Sequence, residues 1–302
     1  MKNLNVGIFH ADGLGSELGK KGTESDIALY NRKTDDCVYT FMESVGGKLL
    51  AEAQILSAID AAMVSFEKIT PEVGETVIML DYFNISKGIV LVPEYVDLRQ
   101  VAALTKGTTL ESFVVKKKDP QKIMEYLEKL DIARTDGKKL VSIDHSFSVR
   151  GVGEVMLGFV KRGTIKKHDK LMLVPGNKEA VVRSIQMQDK DFDEAEPGSR
   201  VGLAIKGPTS EEMKRGHVLC EPETVKCQSE VTLKFEKNPF YKDAGSGKCH
   251  VIVGMQSVPA TLVVGETAKI MLDRPVVYSE GETFLVVDLN AEKTHIIGKG
   301  TA

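Results

Sequence analysis

The character of the sequence changes near residue 138, and this change limits the folds open to the chain. Before it, apolar runs at 4–9, 38–42 and 89–92 alternate with segments that carry apolar residues at helical spacing. Strands that alternate with helices in this way form a parallel sheet with helices on both faces. The first part of the chain, residues 1–138, is therefore predicted to be an α/β domain.

After Gly137 the helical spacing ends, and short alternating segments separated by glycine-bearing turns continue to the end of the sequence. These segments lie at 155–160, 170–174, 180–186, 200–205, 229–235, 250–253, 267–272 and 283–288. Short antiparallel strands of this kind suit closed barrels. A divide at Glu221-Pro222-Glu223 predicts two of them, at 139–223 and 224–302.

Charge and cysteine content exclude several classes of protein. The formal net charge of -3 is no signature of indiscriminate nucleic-acid binding. No apolar stretch is long enough for a signal peptide or a membrane span. The cysteines form no CxxC pair, and no histidine stands at metal-ligand spacing, so we expect buried free thiols and no metal site; the four are Cys37, Cys220, Cys227 and Cys249. A cytoplasmic protein without membrane contact is the expectation.

Residues 143–153 have the sequence Ile-Asp-His-Ser-Phe-Ser-Val-Arg-Gly-Val-Gly, and a series of short motifs follows in order. They lie at 157–158, 160–165, 169–171, 182–186, 194–195, 198–204 and 214–219. Gly151 and Gly153 allow a tight bend, and Arg162-Gly163 is predicted to turn a hairpin. Together these motifs resemble the second domain of EF-Tu-type translational GTPases.

The tail resembles the third domain of the same factors, through Asn238-Pro239-Phe240-Tyr241-Lys242, Val264-Gly265-Glu266, Arg274-Pro275-Val276 and Gly281-Glu282-Thr283-Phe284. The resemblance implies an α/β P-loop-GTPase-like domain followed by two antiparallel β-barrels, EF-Tu domains 2 and 3. The chain stops at Ala302, and we expect no fourth domain of the kind that selenocysteine-specific factors carry. Phe240 and Tyr241, which lie near lysines, are interpreted as barrel core rather than as a nucleic-acid contact.

The P-loop motif of the family, GxxxxGK[ST], is degenerate in this sequence. Aligned without a gap, the matching stretch is residues 10–17: Gly15 keeps the second glycine, Ser16 replaces the lysine and Glu17 replaces the hydroxyl residue. A carboxylate beside a triphosphate adds repulsion where the family supplies attraction. The chain between Glu17 and Val38 also looks too short for a switch I loop together with its strand.

The two other nucleotide motifs are altered as well. The DxxGH element corresponds to residues 43–47, where Gly47 replaces the histidine that positions water. In the NKxD element Asp97 remains, but Glu94 and Tyr95 replace the asparagine and lysine. We therefore expect neither GTP nor magnesium as a cofactor, no catalytic residue, and a domain that acts as a packing module. A minority interpretation is a different nucleotide or anion held by lysines 20, 21, 116 or 117.

The resemblance places a ligand pocket on the second domain. In the family this barrel receives the aminoacyl end of tRNA, and archaeal and eukaryotic selenocysteine-specific factors carry an Asp-His pair and a later arginine there. Asp144, His145 and Arg200 match those positions and form the candidate aminoacyl-end pocket. Charge-assisted hydrogen bonds from arginine and histidine could hold an anionic group. The alternative is that these polar residues pair with one another and hold no ligand.

The sequence as a whole is interpreted as a selenocysteine-factor-like paralogue of archaeal type that does not hydrolyse GTP. Its expected partner is tRNA, another RNA or a component of the translation machinery. One alternative is a divergent GTPase that delivers aminoacyl-tRNA. Another is a protein–protein scaffold or regulator without RNA binding. The sequence does not indicate the oligomeric state.

Overall fold

A computed structural model describes residues 2–243, 246–265 and 267–302 of the chain. The chain divides into two compact units, Met1–Ile132 with Asn290–Ile297, and Ala133–Leu289 with Gly298–Ala302. The predicted boundaries after residues 138 and 223 stay a prediction, because compactness separates two units rather than three. Glu266, one of the residues behind the third-domain resemblance, lies outside the described residues.

The first unit is a seven-stranded sheet covered by helices. Its elements are β1 (Lys2–Phe9), α1 (Leu14–Leu18), β2 (Lys20–Glu24), β3 (Ile27–Lys33), β4 (Cys37–Ser44), α2 (Leu49–Leu56), β5 (Ala61–Ser65), α3 (Pro71–Tyr82), β6 (Gly88–Leu91), α4 (Leu98–Thr105), a 3-10 helix (Thr109–Ser112), β7 (Val114–Lys116) and α5 (Pro120–Lys129). The strand order is β2-β3-β4-β1-β5-β6-β7. The strands from β4 to β7 run parallel, as the alternation of strands and helices predicted.

The core of this unit explains why the central strands are almost wholly apolar. Leu4, Val6 and Ile8 of β1 are buried on one face of the sheet, packed with Ile123 and Leu127 of α5. Strands buried on both faces need continuous apolar sequence. The carboxyl ends of the parallel strands meet at one edge, where such sheets bind their ligands.

The chain between α1 and β4 forms the antiparallel pair β2 and β3, which the sequence did not predict. β3 lies against β4, so the sheet gains two strands in the stretch that was expected to be too short for a switch I loop together with its strand. What this stretch lacks is a long loop: only Ser25 and Asp26 separate the two strands.

The second unit contains two closed antiparallel barrels. The elements of the first barrel are β8 (Leu140–Val149), β9 (Gly153–Arg162), β10 (Ile165–Lys166), β11 (Lys170–Val174), β12 (Lys178–Met187), β13 (Lys190–Phe192), β14 (Glu194–Ala195), β15 (Arg200–Lys206) and β16 (Val218–Cys220). Those of the second are β17 (Lys226–Lys237), β18 (Gly247–Val253), β19 (Gln256–Val264), β20 (Ala268–Tyr278), β21 (Thr283–Val287) and β22 (Ile296–Thr301). The first barrel follows the order β11-β16-β8-β9-β15-β12 and closes through β11 and β12. The second follows β17-β20-β19-β18-β21-β22.

The two barrels share a buried contact within this unit. Cys220 and Val218 of β16 pack with Val277 of β20 in one apolar cluster. Within the second barrel, the Gln256 side chain donates to the carbonyls of Val253 and Val277 and accepts from the Val277 amide at 2.9 Å, and Gly216 of the first barrel lies against Gln256. A buried amide with all these bonds made holds its surroundings in one geometry.

Two turns of the first barrel were predicted from their glycines. The tight bend at Gly151 and Gly153 is confirmed, because both have positive φ and join β8 to β9. The hairpin at Arg162-Gly163 is wrong: β10 pairs with β14 instead of β9. A side chain at Gly163 would meet the backbone of Lys139 at 3.0 Å, so close approach of two chain segments requires glycine there.

The expectation of buried thiols and buried aromatic residues holds only in part. Cys37, Cys220 and Cys249 are buried and free, whereas Cys227 is free but exposed. Tyr241 is buried in the second barrel, but Phe240 is 68% exposed and is therefore not core.

Within the part of the chain that the structure describes, no helix combines the length and apolar character needed to cross a lipid bilayer.

Candidate functional site

The stretch that matches a P-loop forms the turn between β1 and α1, and its polar groups bond within the chain. We refer to residues 10–17 as the phosphate-type loop. The Ser16 hydroxyl donates to the Gly13 carbonyl at 2.7 Å. Glu17 lies on α1 and pairs with Lys118 at 3.0 Å. The helix that starts in this loop is only five residues long.

The backbone amide of Gly15 donates to the Glu43 carboxylate at 2.6 Å. Glu43 ends the buried part of β4, which runs parallel to β1, so its side chain reaches the loop directly. The Tyr30 ring lies against Gly15 where a larger residue would need space, and the Tyr30 hydroxyl bonds to Glu43. Burial raises the pKa of Glu43, while the bond from Gly15 opposes that rise. The sequence matched Glu43 to the DxxG motif but gave no sign of this contact.

The turn that follows β4 contains Gly46 and Gly47, both with positive φ. Open space surrounds the position where a Gly47 side chain would begin. The structure therefore places Gly47 in an exposed turn that presents only backbone.

The residues that match the base-reading element lie between β6 and α4. The Asp97 carboxylate caps α4 by accepting from the Arg99 amide at 2.9 Å, and it also receives the Arg99 guanidinium at 2.8 Å. Glu94 forms an ion pair with Lys117. Tyr95 is 74% exposed. The arginine bonds lower the pKa of Asp97, and the lysine lowers that of Glu94.

On the first barrel, Asp144 and Arg200 lie together. Arg200 Nη2 is 2.9 Å from Asp144 Oδ2, and the Arg200 guanidinium lies 4.9 Å from the centre of the Phe159 ring. Arg215 adds a second guanidinium, with Nε 3.7 Å from Asp144 Oδ1. Burial lowers the pKa of Arg200, and Asp144 opposes this. We call these four residues the Asp144 cluster. Arg215 lies 71 positions from Asp144, and although it belongs to the motif at 214–219, the sequence did not indicate its contact with this carboxylate.

A β-bulge explains how this carboxylate is placed. The register of β8 against β9 shifts between Ile143 and His145, so Asp144 is an extra residue in the strand. Bulges redirect side chains, and here both Ile143 and Asp144 are buried in succession. His145 follows as an exposed residue whose ring lies 5.8 Å from that of Phe147. The structure thus joins Asp144 to Arg200, while the contact seen for His145 is with Phe147.

Among residues 2–243, 246–265 and 267–302, no three histidine, cysteine or carboxylate side chains are grouped closely enough to bind a metal ion together.

Comparison with known proteins connects these features to a family. Residues 153–220 match the family model described as elongation factor Tu domain 2. An uncharacterized protein of Methanocaldococcus jannaschii, MJ0325, is 39% identical over 99% of both chains. The chain belongs to the EF-Tu-type family of translational GTPases. It is related to the selenocysteine-specific factors: the selenocysteine-specific elongation factor of M. jannaschii is 27% identical over 93% of this chain and 70% of its own length.

The fold of this EF-Tu-type protein agrees with that relationship. The structure of the elongation factor SelB from Methanococcus maripaludis with the GTP analogue GPPNHP superposes with a TM-score of 0.81. The match is 23% identical and covers 100% of this chain and 79% of that one. The predicted fold class, an α/β nucleotide-binding-type domain followed by two β-barrels, is confirmed.

Proposed function

We propose that this elongation-factor-like protein acts in the cytoplasm by binding tRNA, another RNA or a translation component, and neither binds nor hydrolyses GTP. The observation that carries the proposal is the bond from the Gly15 amide to Glu43, 2.6 Å long. In a P-loop, backbone amides of this kind hold phosphate oxygens. Here a carboxylate of the same chain occupies one of them.

The other residues of the phosphate-type loop do not fit a nucleotide. Glu17 and Glu43 bring two carboxylates to the place where the family puts a lysine and magnesium. Lys118, the cation near this loop, is paired with Glu17 at 3.0 Å. A helix of five residues offers a much smaller dipole than the long helix that follows a P-loop. These residues therefore support a function that uses neither GTP nor magnesium.

The base-reading side supports the same proposal. Asp97 is the one motif residue that remains, and both of its oxygens receive bonds from Arg99. Recognition of a guanine by Asp97 would have to break this fork of charge-assisted bonds. Glu94 and Lys117 likewise neutralise each other. The lysines considered as an alternative anion site are thus partly committed to acidic partners, since Lys21 also pairs with Glu24.

The relatives support a role for this chain that is separate from selenocysteine delivery. M. jannaschii has both a relative that matches this chain end to end and a selenocysteine-specific elongation factor. Two such proteins in one organism favour a divided function. The binding role that remains is assigned to the first barrel, where Asp144 lies between two arginines and the neighbouring His145 and Phe147 face outward.

Titration with a fluorescent GTP analogue tests the nucleotide part. We expect no saturable binding by this chain up to about 100 µM, with or without magnesium, where the family binds far more tightly. The selenocysteine-specific factor of M. maripaludis serves as the positive control under the same conditions. Magnesium-dependent binding near micromolar affinity would overturn the proposal and favour the divergent GTPase.

Filter binding with charged and uncharged tRNA, repeated at several salt concentrations, tests the RNA part. We expect His145→Ala to weaken binding several-fold without changing the fold, because the side chain is exposed. Glu230→Gln, an exposed change on β17, is the matched control and should bind like the unaltered protein. Absence of binding to either RNA at low salt would favour the scaffold instead.

A further inference from the structure

A group of buried polar side chains lies between α2, α3 and the end of β1, and it includes His10, the first residue of the phosphate-type loop. Glu52 of α2 and Glu75 of α3 are each 5% exposed, and Thr76 of α3 is fully buried. His10 Nε2 lies 2.7 Å from Thr76 Oγ1, which lies 3.2 Å from Glu52 Oε2. Polar groups this deeply buried are costly unless each has a hydrogen-bond partner. Because these groups bond to one another, a change in the protonation of one alters the bonds of the next.

The carboxylate of Glu75 holds another part of the first unit, the segment Asn290–Ile297. The His295 backbone amide donates to Glu75 Oε1, and His295 Nδ1 lies 3.1 and 3.2 Å from the two carboxylate oxygens. His295 belongs to no helix or strand. Its amide therefore donates its hydrogen bond to the Glu75 carboxyl group rather than to a carbonyl of a helix or a sheet.

Counting protons gives a consistent arrangement for the group. The Thr76 hydroxyl donates to Glu52 Oε2 and also lies 3.1 Å from the Glu72 carbonyl, while its oxygen accepts from the His10 ring. A Glu52 carboxyl that keeps its own proton still accepts the bond from Thr76 through its carbonyl oxygen. Burial raises the pKa of Glu52 to about 7 against the opposing bond from Thr76, and the nearby Glu75 adds to the rise. Burial lowers the pKa of His10, so its ring is neutral in this range.

We propose that this network is a proton-sensitive latch: while Glu52 keeps its proton, Glu75 holds the segment Asn290–Ile297, and loss of the proton loosens the segment. Ionised Glu52 would place a second buried negative charge beside Glu75. Thr76 and Glu75 of α3 act on Glu52 directly, and His10 at the end of β1 reaches it through the Thr76 hydroxyl. Asp12 and Glu72 lie near His10, and His295 of the segment lies against Glu75. Among these groups Glu75 is the one whose charge raises the pKa of Glu52.

Hydrogen exchange of the full chain at pH 6, 7 and 8, corrected for the intrinsic pH dependence of exchange, tests the latch. We expect opening of residues 290–297 to increase about tenfold between pH 6 and 8. This is the change that follows from a pKa of about 7 in the closed state and 4.5 when the carboxyl is in water. In Glu52→Gln the contact with Thr76 is kept and the proton cannot leave, so the increase should disappear.

Four further variants locate the proton: Glu292→Gln, Glu75→Gln, His10→Asn and His295→Asn, of which the two histidine variants should keep the pH dependence. Glu292→Gln changes an exposed carboxyl of the same segment and should behave like the unaltered protein. Glu75→Gln weakens the anchor and should raise exchange at every pH. His10→Asn, chosen because asparagine tolerates the positive φ of this residue, should keep the tenfold increase. The proposal is wrong if Glu52→Gln keeps the increase, if His10→Asn or His295→Asn abolishes it, or if Glu75→Gln leaves exchange unchanged.

Discussion

The phosphate-type loop and the Asp144 cluster occupy two places where the EF-Tu family has ligand sites, and they differ in how their polar groups are satisfied. In the loop, Gly15, Glu17 and Glu43 all have partners inside the chain. On the first barrel, the ion pair of Asp144 and Arg200 is internal, but His145 beside it is exposed. A site whose groups are all paired has little to offer a ligand. The comparison thus favours the first barrel as the location of the proposed binding site.

The largest effect is expected for Asp144→Ala, which would test how far the barrel cluster is structural. Arg200 would be left buried without its carboxylate, since its side chain is only 11% exposed. Losing one partner of a buried pair costs about 3–5 kcal/mol of the free energy of unfolding. Urea unfolding measures this, with Glu179→Ala at an exposed ion pair as the control that should change nothing measurable. A loss below about 1 kcal/mol would mean that Arg200 is already well hydrated.

The next effect concerns the interior behind the phosphate-type loop. Glu52 has a pKa raised to about 7 in the folded protein against 4.5 in water, so its stabilising contribution is complete below pH 4.5 and is lost as pH rises to 7. The free energy of unfolding of the first unit should therefore fall by about 3 kcal/mol over this interval relative to Glu52→Gln. Hydrogen exchange of the β1 backbone amides, measured at several urea concentrations, reports this free energy of unfolding. If the free energy of unfolding changes with pH in the same way in both proteins, the raised pKa of Glu52 is contradicted. Both proteins contain His10, so any contribution of its titration cancels when the two are subtracted.

Gly15→Ala should have a smaller effect and tests whether the loop is truly filled. A methyl group there would press against the Tyr30 ring and come within 3.0 Å of Glu43 Cδ. Overpacking of this kind costs about 1–3 kcal/mol, measured as a lower midpoint of thermal unfolding. Once Tyr30→Ala has removed the ring, adding Gly15→Ala should lower the unfolding midpoint by less than Gly15→Ala does in the unaltered protein. If Gly15→Ala is neutral, the loop has room and could admit a ligand.

His145→Ala should have the smallest effect on stability, within about 0.5 kcal/mol, because an exposed side chain contributes little. The same change is expected to weaken RNA binding several-fold. If His145→Ala binds RNA as well as the unaltered protein does, the exposed side chain beside Asp144 takes no part in RNA binding. Thermal unfolding and filter binding on one preparation separate the two effects.

The sequence predicted the central strands and the barrel strands because their apolar residues are periodic or continuous. It did not predict β2, whose residues are all exposed and carry no pattern. The predicted hairpin at Gly163 failed because this glycine lies against Lys139, at the end of the paired strands β8 and β9, and β10 pairs with β14. Long-range contacts of this kind leave no local signal.

The candidate site divides in the same way. Motif positions such as Glu17, Glu94 and Tyr95 could be identified one by one, since each depends only on alignment. The partners that give them meaning could not: Arg215 joins Asp144 through folding alone, and Glu43 reaches Gly15 only because β4 lies beside β1. The sequence likewise did not predict that the segment Asn290–Ile297 contacts α3.

The brevity of α1 limits what substitutions could rebuild. Leu18 ends the helix and β2 begins at Lys20, so the turn is tied into the sheet almost at once. Changing His10 to glycine, Ser16 to lysine and Glu17 to threonine would restore the letters of the family signature, but the backbone would keep this short turn. A redesign toward nucleotide binding would therefore need inserted residues as well as substitutions.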